Sequence, residues 1–509
     1  MDKTLPKLSN SKFTNLRPFF FAAIFFIAGI FAAALFFENK VYFFIVLVII
    51  LVAGVVLYMF EKKLPLLLFL VLVTGFGLYI LNLSITQVPE ISGDTALTGR
   101  VTDVTVGKHD YKYTVILDDV EYLATLTGDP KRKVAVFTDD LAAIGDTVEV
   151  TGYIAAFNYT PLSSFSMSNY ASSVNYVIDA ERCTVLASGN YKGYETVYIK
   201  IKAAFDDAMG EDVANIALSL IIGHKNSFDE SKSSDIFATR LSSIFAVSGL
   251  HFAFIAMIIF YVCRLLRVNR RISLSITIIW LLLYGALTGF PMPLIRVLVV
   301  PIILLISTLT NRQTDPLTTW GFSMIILLLP NTFALFEIGF QIASLSMLGV
   351  ICFGGFFKRL FGRLNNKILN MGTYTVSTFA SANLFSGAAT INAFTSFGFY
   401  FTLGSIAIIP FISFVYILLM GGVLLSLIAP VLSATLIPLK FLVEGVGSLS
   451  TQLTNMRFAT FMSGEIWFFS LLYILTMFLI SKFILLRMKY KLRILVSSIG
   501  LAILAIIIV

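Results

Sequence analysis

The sequence predicts a polytopic α-helical membrane protein of about 11–13 spans that carries a small extracellular β-barrel, OB-like in its strand pattern. Three observations predict it. The 509 residues are 58% hydrophobic and only 13% charged, with mean hydropathy +0.89, whereas a soluble chain is about 25% charged. Apolar runs of about 20 residues, enough to cross a bilayer as helices, recur along the chain. Between residues 89 and 192 these runs give way to short alternating segments broken by Gly, Asp and Pro. A large soluble helical core is excluded, because too little polar surface exists to cover it.

The first unit, residues 1–88, holds three spans: Pro18–Phe37, Val41–Phe60 and Leu64–Leu83. The first could imitate a signal peptide, but its length and the spans behind it favour an uncleaved anchor. Residues 89–192 form the β unit, with strand runs at Ala96–Val106, Tyr111–Leu117, Tyr122–Thr127, Lys133–Phe137, Thr147–Ala155 and Val174–Leu186. Five or six such strands fit an OB-like barrel. Residues 193–210 read as an amphipathic interfacial helix, Glu195–Met209. Residues 211–509 are the second membrane block. Its spans are Ala238–Cys263, Ile272–Phe290, Leu294–Thr310, Pro316–Leu329, Phe333–Phe353, Gly372–Ile391, Phe394–Ile409, Phe411–Ala429, Glu465–Lys482 and Leu492–Val509, with Val431–Leu449 lying in the interface.

Charge orients these units. Residues 1–63 carry seven basic and three acidic side chains, residues 90–207 ten and seventeen, and residues 208–509 twenty and nine. Basic loops stay cytoplasmic. Lys3, Lys7, Lys12 and Arg17 therefore put the N-terminus inside, and the third span delivers the β unit outside. Arg264, Arg267, Arg270, Arg271, Arg312, Lys358, Arg359, Arg363, Lys367 and the Lys482–Arg493 segment then all fall inside, and the C-terminus falls outside. The acidic β unit favours a structural or assembly role over nucleic-acid binding, which needs cations. Lys131, Arg132 and Lys133 are its one basic cluster and its candidate external DNA contact.

Three cysteines and three histidines have no metal-ligand spacing, so neither a metal site nor a cofactor is expected. Ser242–His251 is polar at membrane depth: Ser243, Ser248, Gly249 and His251 interrupt an apolar run. Such groups either find partners or face water. Ser248 and His251 share one helix face, but no orienting carboxylate or oxyanion loop accompanies them, so hydrolysis is not expected. Arg296 follows Phe290 within a span, and Glu337 and Gln341 share a face of another. A buried Arg–Glu pair and a place on a pathway are equal readings. Gly372–Ile391, with Ser381 and Asn383, is rich in small and hydroxyl residues, for close packing or for a wet lining.

At these residues the chain resembles the ComEC family of competence proteins. Leu218–Gly223 and Thr239–His251 (TRLSSIFAVSGLH) resemble its core segment, Gly289–Leu298 (GFPMPLIRVL) its G-F-x-x-S-x-x-R-A-L, Arg312–Leu317 (RQTDPL) its R-x-x-D-P-L, and Asn331–Ser344 (NTFALFEIGFQIAS) its N-P-x-x-L-F-D-x-G-F-Q-L-S. Ser243 stands where the family has His, and Ala393-Phe394-Thr395 and Gly404-Ser405-Ile406 replace its polar H-F-G and A-N-L. The resemblance implies a multi-pass protein of the bacterial cytoplasmic membrane that imports single-stranded DNA during natural transformation. Ser243, Ser248, Gly249, His251, Phe290, Arg296, Glu337, Gln341, Ser381 and Asn383 would line the passage. The family's frequent C-terminal metallo-β-lactamase-like domain is not expected, since the chain ends in a span. No nuclease motif or GxxxxGK[ST] occurs, so the chain is expected not to be an enzyme. Each phosphate entering the cell climbs about 2.3 kcal/mol per 100 mV. A separate cytoplasmic motor, helicase or single-strand-binding protein would have to pull the strand, an external receptor supply it, and a separate nuclease prepare it. A secondary transporter or exporter of a smaller anionic or lipid-like solute, and a non-transporting assembly scaffold, are the alternatives.

Overall fold

The computed structural model describes residues 17–36, 63–86, 92–106, 113–122, 133–140, 144–156, 174–188, 194–221, 259–288, 292–311, 315–360, 380–387, 414–423, 430–445 and 467–481, with short pieces between them. The first described elements are α1 (Pro18–Phe36) and α2 (Lys63–Thr86), apolar on all sides. With no polar face, small residues decide which sides meet. A Cβ on Gly29 would stand 2.1 Å from the Leu72 carbonyl oxygen, and one on Gly75 2.3 Å from that of Phe26. The two backbones therefore touch at reciprocal glycines, as membrane helices do. Among the described residues two helices, Pro65–Thr86 and Ile338–Leu360, are long and apolar enough to cross a membrane.

Five strands follow: β1 (Ser92–Val106), β2 (Tyr113–Tyr122), β3 (Lys133–Thr138), β4 (Thr147–Ala156) and β5 (Val174–Ala187). They form one mixed sheet in the order β1-β2-β3-β5-β4, in which only β3 and β5 run parallel. Pairing of β1 with β4 joins the two edges into a closed barrel. Alternation does the work: Leu97, Val101, Val115, Leu117, Val134, Val136, Val148, Val150, Ile154 and Ile178 point inward and fill the interior. The run expected at 111–117 appears as β2, which continues to Tyr122; the run expected at 122–127 otherwise lies outside the described residues. At Asp118-Asp119 the strand carries a bulge, with Asp119 at φ 51 and its amide donating to the Asp118 carboxylate (3.0 Å).

Cys183 is buried in this interior, and its backbone amide donates to Asp140 (2.9 Å). Burial, and then the Asp140 carboxylate, push its thiol from 9.0 up to about 11. The folded barrel thus holds the thiol proton more tightly than the unfolded chain does. That contribution is complete below about pH 9 and disappears as pH rises through about 11. Maleimide at pH 8 is expected to leave Cys183 unmodified in the folded chain and to modify it after denaturation, as peptide mass mapping would record.

Beyond the barrel, α3 (Tyr194–Met209) ends at Gly210 (φ 81), whose amide donates to Asp206 (3.0 Å), and α4 (Glu211–Ile221) follows at once. Ile201, Phe205 and Met209 recur every four residues and are buried against α4 and neighbouring helices, so protein covers the apolar face of α3. The rest comprises α5 (Arg270–Thr288), α6 (Met292–Leu309), α7 (Pro316–Leu328), α8 (Ile338–Leu360), the short paired strands β6 (Ser396–Phe397) and β7 (Phe461–Met462), and α9 (Trp467–Ile480). Three details depart from expectation. The span expected from Phe333 starts as a 3-10 turn, Thr332–Phe336, and becomes α8 only after Glu337. Extended backbone at β6 interrupts the run expected to be helical over 394–409. Pro430–Leu439, with Pro438 lacking an N–H, winds as a 3-10 helix before 440–445 turn α-helical.

Candidate functional site

The site candidates are polar groups among apolar helices, and the structure places several of them. At one end of the bundle, Asp315 caps α7. Its Oδ2 accepts from the Thr318 amide and from Thr318 Oγ1, both at 2.9 Å. The same oxygen meets Arg17 Nε at 2.9 Å, and the Arg17 guanidinium lies 4.5 Å from the centroid of the Phe483 ring. Above this clasp a Cβ on Gly321 would fall 2.4 Å from the Phe19 carbonyl oxygen, so α7 lies directly on α1. Asp315-Pro316 is thus a helix start that also holds the N-terminal helix, while Arg312 of the same motif lies outside the described residues.

At the other end, Asn331 accepts from the Phe333 amide (3.1 Å) and starts the 3-10 turn. Asn82 of α2 donates to Thr332 Oγ1 (3.1 Å), while Phe333 and Phe336 pack edge-on against Tyr79. Gln341 Nε2 donates to the Leu335 carbonyl (3.1 Å), closing the turn from below. Glu337 sits at the junction, half-buried. Its carbonyl accepts from the Gln341 amide (3.0 Å), which puts the two residues one helical turn apart, as their spacing predicted. Its carboxylate stands at the N-terminus of α8, where the helix dipole favours an anion.

A third polar contact joins the end of α4, α5 and the 414–423 helix. Tyr284 donates to the Ile221 carbonyl at the end of α4 (2.5 Å), and Tyr416 donates to the Tyr284 oxygen (3.2 Å), both tyrosines being buried. This satisfies a carbonyl just where the chain leaves α4 for the Ser242–His251 segment. Trp320 Nε1 similarly donates to the Ser344 carbonyl (3.0 Å), linking α7 to α8.

The Gly372–Ile391 segment is helical over 380–387. Ser381 is fully buried, its hydroxyl donates to the Ser377 carbonyl of its own helix (2.6 Å), and a Cβ on Gly349 would fall 2.2 Å from the Ser381 carbonyl oxygen. At Ser381 the small residues therefore serve close packing against α8. Asn383 is half-buried on the same helix. Arg296 lies in the second turn of α6, five residues before Pro301, but its side chain is outside the described residues, so its pairing with Glu337 is not placed. Ser243, Ser248, Gly249, His251, Phe290, Lys131 and Arg132 also lie outside the described residues, and Lys133 opens β3.

Arg17, Asn82, Thr332, Tyr284 and Tyr416 were not singled out as site residues. Arg17 was read for orientation only. A polar residue such as Asn82 inside an apolar run was the signal available for the others.

The helix that follows Cys263's segment begins at an unusual turn. Val268 N donates to Cys263 O (2.9 Å) and Arg267 N to Arg264 O (3.1 Å), with Arg267 at φ 57. This is the paired-bond helix end that glycine favours. An arginine in that conformation costs about 1 kcal/mol. Asn269 then accepts from the Arg271 amide (3.1 Å) and starts α5.

Residues 220–489 match the family model described as Competence protein. Neither a curated protein nor a solved structure matches the chain. The match takes in the polar junctions at Asp315, at Asn331–Gln341 and at Tyr284–Tyr416, and it spans more than half of the 509 residues: the chain belongs to the Competence protein family.

Proposed function

We propose that this chain forms the membrane passage by which single-stranded DNA enters the cell in competence-linked DNA uptake. The observation that carries the reading is the family match over residues 220–489, which suggests a role in DNA uptake. Contacts between distant segments support a multi-pass topology. Charge alone puts Arg17, Asp315 and Phe483 on the inner side, and those three residues meet. The same bookkeeping puts Asn82, Thr332 and the barrel outside. Asn82 meets Thr332, and Asn175 of the barrel donates to the Thr86 carbonyl at the end of α2 (2.6 Å). A sidedness assigned from unrelated loops would not generally bring partners of the same side together.

The barrel reads as an OB-like fold whose interior is packed. Its described residues carry eleven acidic side chains against three basic ones, so we assign it to assembly or to a receptor rather than to phosphate. The passage follows the Ser248–His251 interruption and Arg296, with Glu337 at the start of α8 and Asn383 on the helix that crosses α8 at Gly349. Ser381 supports it through packing. The chain acts as a conduit, not an enzyme, and a separate motor, helicase or single-strand-binding protein supplies the work, with a receptor outside and a separate nuclease.

His251→Ala and Arg296→Gln, tested separately in a deletion strain at matched protein level, are each expected to lower uptake of labelled DNA by about tenfold or more, equivalent to about 1.4 kcal/mol on the barrier. Normal uptake in both variants would remove these residues from the passage.

A further inference from the structure

The turn that joins the helix ending near Leu265 to α5 combines three properties that together specify a ligand. Arg264, Arg267, Arg270 and Arg271 are all exposed within eight residues, and among the described residues none forms an ion pair. Arg271 reaches only the Thr308 carbonyl, at 3.5 Å. The sequence from 236 to 314 contains no Asp or Glu at all, so its own neighbours in sequence offer this cluster no carboxylate. Arg270 and Arg271 moreover occupy the first turn of a 19-residue helix, where the dipole disfavours cations and favours an anion. Arg267 holds a left-handed conformation that glycine would adopt without strain.

The second property is apolar. Leu265 and Leu266 are 70% and 69% exposed, with Tyr261 65% exposed one turn earlier. Leucines that protrude between arginines do not fit a strand of nucleic acid, which stacks on aromatics and pairs with cations. They fit the boundary between acyl chains and headgroups, where aliphatic side chains insert and guanidiniums meet phosphates. The third property is position: the turn falls on the inner side, the leaflet that carries anionic lipid.

From this we infer that the Arg264–Arg271 turn is a binding site for the phosphate headgroup of an anionic phospholipid. Leu265 and Leu266 enter the acyl layer, and the guanidiniums close on the headgroup beside the N-terminus of α5. The inference rests on the membrane topology proposed above.

The test uses the full chain in phosphatidylcholine nanodiscs with and without phosphatidylglycerol. Native mass spectrometry counts retained phosphatidylglycerol, and thermal melting follows stability. Wild type is expected to retain the anionic lipid and to melt higher in its presence. Arg267→Gly relieves the backbone and so keeps the chain folded. It and the fourfold variant R264Q/R267G/R270Q/R271Q are expected to lose retention, the latter by about tenfold or more. Arg182→Gln on the barrel is expected to change nothing. Equal retention by wild type and the fourfold variant overturns the site. So does a single-stranded oligodeoxynucleotide that binds these arginines in preference to phosphatidylglycerol. A chain that stays soluble without any bilayer overturns the membrane reading as well, whereas a reconstituted chain indifferent to lipid charge overturns the site alone.

Discussion

Gly349→Val is expected to destabilise the chain by about 3 kcal/mol, the upper part of the range for overpacked cores. The reason is what the new side chain would strike. Its Cβ would fall 2.2 Å from the Ser381 carbonyl oxygen and 3.3 Å from that of Ala382. Both are backbone atoms, so no rotamer change relieves the clash, and α8 must move away from the 380–387 helix. Gly355, six residues along the same helix, meets nothing within 4 Å. Gly355→Ala should therefore stabilise by about 0.5–1 kcal/mol, through helix propensity alone. Opposite shifts in melting temperature from two glycines of one helix would confirm the crossing. Two shifts of the same sign would show that α8 and the 380–387 helix do not touch there.

That contrast marks where the sequence is informative about the fold. Strand positions in the barrel were readable because Val, Leu and Ile that fill the interior alternate with more polar residues that are less buried, such as Asp94, Glu121 and Asp179. The starts of α1 and α7 were readable because Pro18 and Asp315-Pro316 fix them. Packing partners among the apolar helices outside the barrel were not. In helices that are apolar on every side, lipid and protein faces use the same residues, and glycines such as Gly29, Gly75, Gly321 and Gly349 reveal contact only once a neighbour is known. The Thr332–Phe336 turn escaped notice for a related reason. Its residues are as apolar as a span, and the bonds that define it come from Asn331 before it and Gln341 after it.

The site was legible to a similar degree. Glu337 and Gln341 share a helical turn, as their spacing required. Gln341, however, uses its amide on the Leu335 carbonyl. Ser381 likewise turns its hydroxyl to its own helix. A hydroxyl or amide at membrane depth signals that something polar needs a partner. Residue type alone does not say whether that partner is water, a passing ligand or the helix's own backbone.

The Arg17–Asp315 clasp gives the second large effect, and its two components can be separated. Asp315→Ala removes the cap on α7 together with the ion pair. A lost cap costs about 1 kcal/mol. A half-exposed ion pair adds at most about 1 kcal/mol more, so the total is about 2 kcal/mol. Asp315→Asn keeps an N-cap of similar quality, since its oxygen can still accept from Thr318, and removes only the charge. Its cost should match that of Arg17→Gln to within the Phe483 contact, and it should vanish in high salt. A double-mutant cycle between Arg17→Gln and Asp315→Asn, read as melting temperature in nanodiscs, is expected to give a coupling of about 0.5–1 kcal/mol. Zero coupling would mean that α1 is held by Gly321 and its apolar face alone. A positive value ties a residue outside the family-matched region to a motif within it. α1 is then packed on the family-matched helices, and a chain lacking α1 should keep the Asp315 cap on α7 while losing the ion pair and the Gly321 contact.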